Sequence, residues 1–222
     1  MGRSANSFDE LYNALQLPYT YLDEILVQIF ADRIAQVQPK LVCISVPFPG
    51  NLYTSLRCGQ WIKKNWPHIK VAMGGGFANT ELRSLSDVRV FEFYDFITLD
   101  DGEAPLEILI EHIDGKKELT ELKRCFTLVN NSVTYINNTS CTDYKQGQVG
   151  TPDYEGLLLD QYISVIEIAN PMHSLWSDGR WNKLTMAHGC YWAKCTFCDI
   201  SLDYIKNYEP ISASLLVDRM EE

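Results

Sequence analysis

Apolar and polar positions change rhythm several times along this chain, and each change marks an element. From Asp23 to Val37 the apolar residues are Ile25, Leu26, Ile29, Phe30, Ile34 and Val37, a helical spacing that Pro39 ends. Leu41 to Val46 is a continuous apolar run with β-branched members, which predicts a strand buried on both faces. Thr54 to Asn65 has the pattern of an amphipathic helix, and Ile69 to Met73 that of a second buried strand, closed by Gly74, Gly75 and Gly76. A short helix is expected over Asn79 to Leu85, a third strand over Phe96 to Leu99, and a helix over Glu103 to Ile113 with Asp100 or Asp101 as its N-cap. This alternation predicts an α/β fold, a Rossmann-like doubly wound parallel sheet with helices on both faces.

After Asp114 the pattern changes. Lys116 to Lys123 is a charged connector. Cys125 to Val129 and Val133 to Ile136, joined by Asn130, Asn131 and Ser132, have the form of a hairpin. Residues 137–152 are rich in Asn, Thr, Gly and Gln and form the expected domain boundary; Pro152 to Arg180 is irregular and aromatic. A short apolar run, Leu184 to Ala187, then predicts a strand, and a helix is expected to begin near Ser212. The organisation is therefore a polar segment and helix over 1–40, an α/β domain over 41–115, a hairpin and linker over 116–152, and a strand–loop–helix unit over 153–222. One such unit is the start of a TIM-type barrel, which takes roughly 200 residues or more, and doubly wound domains normally open on a strand. The expectation is a fragment of a longer protein. A lone strand exposes unpaired backbone, so Leu184 to Ala187 is expected to pair with the hairpin, with another copy of the chain, or with nothing, and self-association is expected.

Composition narrows the function classes. The formal net charge is −10, and there is no basic stripe with interleaved aromatics, which argues against nucleic acid as a partner. No stretch approaches the ~20 apolar residues that span a bilayer. Asp9, Glu10 and Asn13 interrupt Phe8 to Leu17, unlike a signal peptide, so the cytoplasm is the default and its thiols stay reduced. The seven cysteines are then not a disulfide framework, and Cys43 and Cys58 are expected to be small buried hydrophobes.

Three of those cysteines carry the sharpest signal. Cys190, Cys195 and Cys198 fall within nine residues, just after the predicted strand, where α/β folds place their chemistry. Thiolates suit zinc and iron–sulfur clusters. Structural zinc wants four ligands, and His188 or a distant cysteine would be the fourth. Three cysteines with an open corner suit a [4Fe-4S] cluster that binds a substrate at one iron. Unligated thiols are the remaining alternative.

The segment resembles the cluster loop of radical S-adenosylmethionine enzymes. The resemblance implies that Cys190, Cys195 and Cys198 hold a [4Fe-4S] cluster, that its unligated iron takes S-adenosylmethionine, and that Phe197 lies near the adenine. Four residues, Tyr191 to Lys194, separate the first two cysteines where the family usually has three. The amino-terminal half resembles cobalamin-binding domains. It carries Ser45-Val46-Pro47 and, after 26 intervening residues, Gly74 and Gly75, then Asp101-Gly102-Glu103-Ala104-Pro105-Leu106. The resemblance implies that Ser45, Gly74 and Gly75 let a corrin and its nucleotide tail approach the backbone. The Asp-x-His-x-x-Gly motif that donates a histidine to cobalt is absent; His68, His112, His173 and His188 all lack that context. The implied activity is reductive cleavage of S-adenosylmethionine to drive radical chemistry, with methyl transfer as one outcome, on a small-molecule or peptide substrate. Trp176, Trp181, Tyr191 and Trp192 are candidates for a substrate wall or for packing. The alternative is a non-enzymatic ligand-binding module in which Gly74 to Gly76 form a tight turn and the cysteines hold structural zinc.

Overall fold

The computed structural model describes residues 7–157 and 184–222. The predicted irregular aromatic stretch, with His173, Trp176 and Trp181, lies largely outside these residues. The chain divides into two compact units, Met1–Asp143 and Tyr144–Glu222. No helix among the described residues is long and apolar enough to cross a membrane.

The first unit opens on two helices, α1 (Asp9–Gln16) and α2 (Tyr21–Val37). Residues 1–20 read as polar and only weakly patterned, yet Phe8, Leu11, Tyr12 and Leu15 recur at i, i+3, i+4 and i+7 and pack into the core. Thr20 starts α2 with a capping box closed by Asp23. Of the six apolar residues predicted inward on α2, Ile34 is buried and Phe30 packs partly against the core, while Ile25, Ile29 and Val37 are exposed.

A five-stranded sheet follows: β1 (Leu41–Ser45), β2 (Lys70–Gly74), β3 (Phe96–Thr98), β4 (Cys125–Val129) and β5 (Ser132–Ile136), in that spatial order. The first three run parallel. Helices α3 (Leu52–Asn65) and α4 (Gly76–Glu81) contribute to the core on one face, and α5 (Glu103–Ile113) to that on the other. Helix α4 thus precedes the short helix expected over Asn79 to Leu85.

The expected doubly wound parallel sheet needs correction. Helices do cover both faces, but the strand order never reverses, and the hairpin β4–β5 joins the same sheet antiparallel to β3. The path of the chain explains this. Helix α5 ends near the start of β1, where Lys40 Nζ reaches Asp114 Oδ1 at 3.1 Å. Residues 114–124 then run back to the other end of the sheet, with Leu119 and Leu122 packed into the α5-side core. There the Arg124 carbonyl accepts from Leu99 N–H at 2.9 Å, so β4 enters from the opposite end.

Strand β1 is the sheet edge and is only partly covered, not buried on both faces. Cys43, expected inside, is exposed. Cys58 is buried on α3, and desolvation pushes its thiol up to about 11.

Between α1, α2 and α3 lies a buried ionic cluster. The Arg57 side chain is 1% exposed and that of Asp23 5%, with Nη2 and Oδ2 3.6 Å apart. Arg57 also donates to Leu15 O (2.9 Å), Gln60 Oε1 (2.6 Å) and Tyr53 Oη (2.6 Å), and stacks over Tyr19. Asp23 also accepts from Thr20 and Tyr53. Burial alone would raise the Asp23 pKa, but these hydrogen bonds and the Arg57 charge outweigh it and hold the pKa below the usual carboxylate range.

The second unit contains a two-stranded ladder. β6 (Ala187–His188) pairs antiparallel with β7 (Glu209–Pro210), so the strand predicted over Leu184 to Ala187 starts later and pairs with neither the hairpin nor nothing. Between them lie the cysteine loop and the short helix α6 (Asp203–Lys206). Helix α7 (Ala213–Glu221) starts at the N-cap Ser212, whose hydroxyl accepts from Leu215 N–H at 3.2 Å. A barrel unit, which would pair its strand in parallel, is not seen among the described residues.

Candidate functional site

The first unit carries a cavity of about 360 Å³ at the carboxyl ends of β1, β2 and β3. Its origin is a run of small side chains on one sheet face. In the parallel register Cys43 lies beside Ala72 and Ser45 beside Gly74, and Thr98 closes β3. Leu106 and Leu109 of α5 form the opposite wall. Larger residues at those strand positions would meet α5; small ones leave a hollow between helix and sheet. Such strand-end crevices are where open α/β sheets bind ligands.

Ser45, Gly74 and Gly75 all line this cavity. Their constraints differ. A Cβ at Gly74 would lie 3.2 Å from Thr98 Oγ1, a side-chain atom. Gly75 sits at φ +100°, and a Cβ there would lie 2.9 Å from Ser45 Oγ, Val46 N and Val46 O. The fold itself therefore demands glycine at 75, because the end of β1 passes directly against it. Sequence reasoning took Cys43 for a buried hydrophobe and did not assign Ala72, Thr98 or Leu106 to a site. The alternation of small residues at 43 and 45, and again at 72 and 74, is the signal that marks Cys43 and Ala72.

The loop from β3 to α5 forms the rim. Asp100 is not the N-cap of α5; Gly102 holds that position, without a side-chain cap. Asp100 instead adopts a left-handed φ of +62°, and its N–H donates to Asn79 Oδ1 at 2.7 Å. Its carboxylate is held by Arg83 and lies 3.8 Å from Arg124 Nε. Arg124 is buried and pairs with both oxygens of Asp143, at 2.8 and 2.6 Å. Burial opposes the charge on each partner, yet the pairing prevails: the Arg124 pKa is raised and that of Asp143 lowered. Cys43 is accessible as a residue, while partial desolvation raises its thiol pKa.

The second candidate is the cysteine loop. Gly189 turns out of β6 at φ +74°, where a Cβ would collide with Asn207 O. Cys190 N–H donates to Ile205 O at 2.9 Å, tying the loop to α6. Cys190, Cys195 and Cys198 are half-buried, and Cys190 Sγ accepts from Ala193 N–H at 3.5 Å. Phe197 is 87% exposed. The donor chemistry suits a soft metal centre, although among the described residues no three His, Cys, Asp or Glu side chains are gathered to hold an ion. Tyr191 and Trp192 are exposed as well, with Tyr191 edge-on to Tyr208 and Lys194 over Trp192.

No family model matches the chain, and no curated protein does. Solved structures do. Three of them are of a cobalamin-dependent S-adenosylmethionine radical enzyme, OxsB. The form with aqua-cobalamin and S-adenosylmethionine bound aligns with a TM-score of 0.63 at 19% identity. The form with aqua-cobalamin alone gives 0.61 at 18%. The apo, selenomethionine-labelled form gives 0.58 at 20%. This chain shares that fold. Each alignment covers 88% of this chain and 24% of the other, so the chain spans about a quarter of the length of the solved protein.

Proposed function

We propose that this chain serves a cobalamin-dependent radical S-adenosylmethionine enzyme. In this reading the first unit binds a corrinoid at the strand-end cavity, and Cys190, Cys195 and Cys198 hold a [4Fe-4S] cluster whose open iron binds S-adenosylmethionine. One observation carries it: a cavity floored by small residues, Ser45 and Gly74 among them, in a fold shared with an enzyme solved with both cofactors bound. The small residues that floor the cavity leave room that a corrinoid's nucleotide tail would take, held by residues such as Ser45, Gly74 and Thr98. No histidine lines it, so cobalt would bind without one from this unit.

The chain's own residues have separable tasks. Ser45 and Thr98 offer hydroxyls to the ligand, Leu106 and Leu109 exclude water from it, and Gly189 sets the turn that presents Cys190. A [4Fe-4S] cluster held by Cys190, Cys195 and Cys198 would supply the single electron needed for reductive cleavage of S-adenosylmethionine and so for radical chemistry on a substrate. A cluster would have to draw the three thiols together, and the Phe197 ring beside Cys198 would be covered by the bound nucleoside.

Anaerobic reconstitution with ferrous iron and sulfide tests the second site. The chain is expected to take up about four iron and four sulfide, as Cys-ligated clusters of this type do, and replacing Cys190, Cys195 and Cys198 by Ala should abolish uptake. Stoichiometric zinc with no iron uptake would favour the binding-module alternative instead.

A further inference from the structure

We propose that Arg124 is the positioning residue for the cavity rim, holding the β3–α5 loop in the shape that admits the ligand. The consequence for binding rests on the corrinoid reading above; the geometry does not. Arg124 sits in a left-handed conformation at φ +43° and is 6% exposed. Its guanidinium spans three separate groups. Nε donates to Leu99 O at 3.3 Å, Nη2 donates to Asp101 O at 3.0 Å, and the fork on Asp143 occupies both carboxylate oxygens. The Arg124 carbonyl meanwhile accepts from Leu99 N–H, and Asn137 Oδ1 accepts from Arg124 N–H at 3.3 Å. Asp100, between the two clamped carbonyls, is thereby kept in a backbone region that non-glycine residues rarely occupy. Asn79 and Arg83 fix it from the other side. The next two residues that line the cavity are Gly102 and Glu103, so the rim is set by contacts made outside the cavity.

A buried arginine that only needs a counter-ion would be satisfied by Asp143 alone. The two carbonyl bonds are what a positioning role adds, and they separate Arg from Lys. An ammonium at 124 keeps the charge and can reach Asp143, but it lacks the planar fork that bridges a carboxylate and two carbonyls.

The test compares wild type with Arg124→Lys, using hydrogen exchange over residues 99–103 and a spectral titration with hydroxocobalamin. Arg124→Lys should remain folded, exchange faster in 99–103 than elsewhere, and bind hydroxocobalamin at least about tenfold more weakly, because a loop that samples other shapes lowers apparent affinity. A folded variant whose exchange and affinity both match wild type would overturn the inference and leave the corrinoid reading standing. If wild type itself binds no hydroxocobalamin, the corrinoid reading fails and exchange alone decides: acceleration confined to 99–103 retains the positioning role, and uniform acceleration removes it. Should Arg124→Lys not fold, Asp143→Asn loosens the same fork and is judged by the same two readouts.

Discussion

Gly75→Ala separates two explanations of the glycine turn. If Gly75 exists to let a ligand approach, alanine should fold normally and bind poorly. The geometry says otherwise. At φ +100° and ψ 179° the residue occupies a region that is essentially glycine-only, at a cost of about 1–3 kcal/mol for another residue. The added Cβ would also stand 2.9 Å from two backbone atoms of Val46, which cannot swing aside. Overpacking of that kind costs typically about 1–3 kcal/mol more. The sum, about 2–6 kcal/mol, is a large part of the roughly 5–15 kcal/mol that stabilises a domain. At roughly 2–4 °C per kcal/mol the melting temperature should fall by roughly 4–24 °C. Gly102→Ala is the control, since φ there is −81° and nothing lies within 4 Å of the new methyl. It should change stability by about 1 kcal/mol at most. Thermal unfolding followed by far-ultraviolet circular dichroism decides the matter. If Gly75→Ala melts together with Gly102→Ala, within about 2 °C of wild type, close approach to Val46 is not the reason for the glycine.

Arg57→Met should destabilise the first unit by about 3–5 kcal/mol, because the buried Asp23 loses its cation; adding Asp23→Asn should recover part of the loss, and denaturant titration of the two variants checks both. Asp23 and Asp143 have lowered pKa values in the fold, so it binds fewer protons than the unfolded chain near pH 4. Their contribution is therefore fully present above about pH 4 and is lost as pH falls through the lowered folded values. Unfolding free energies measured from pH 6 to pH 2.5 should decline below about pH 4, with a shallower decline in Asp143→Asn; a flat profile contradicts the pairing.

The strands β1 to β3 were legible because parallel strands inside a sheet are short unbroken apolar runs. What those runs do not contain is each strand's position in the sheet. Cys43 is no less apolar than Cys58, and only the place of β1 at the sheet edge exposes it. The hairpin was legible from Asn130 and Asn131, but its docking beside β3 depends on the return path of residues 114–124, which carries no local signature. Helix α1 is the opposite case: its i, i+3, i+4, i+7 spacing was present, masked by the acidic Asp9 and Glu10 at its start. Of the residues assigned by resemblance, Ser45, Gly74 and Gly75 meet at one cavity, whereas the three cysteines share a loop without converging. The Arg57 and Arg124 clusters were invisible because each depends on partners distant in sequence, Leu15 and Asp23 for Arg57 and Leu99, Asp101 and Asp143 for Arg124.

Cys43 supplies a reporter inside the cavity itself. It is accessible, whereas Cys58 and Cys125 are buried with thiols pushed up to about 11 and about 12. Alkylation of the chain with N-ethylmaleimide, with and without excess hydroxocobalamin, and quantified at Cys43 by peptide mass spectrometry, measures occupancy at that spot. The corrinoid reading predicts strong protection of Cys43 that saturates with hydroxocobalamin concentration and disappears in Ser45→Trp, which fills the hollow. Labelling of Cys43 at the same rate at every hydroxocobalamin concentration would contradict it.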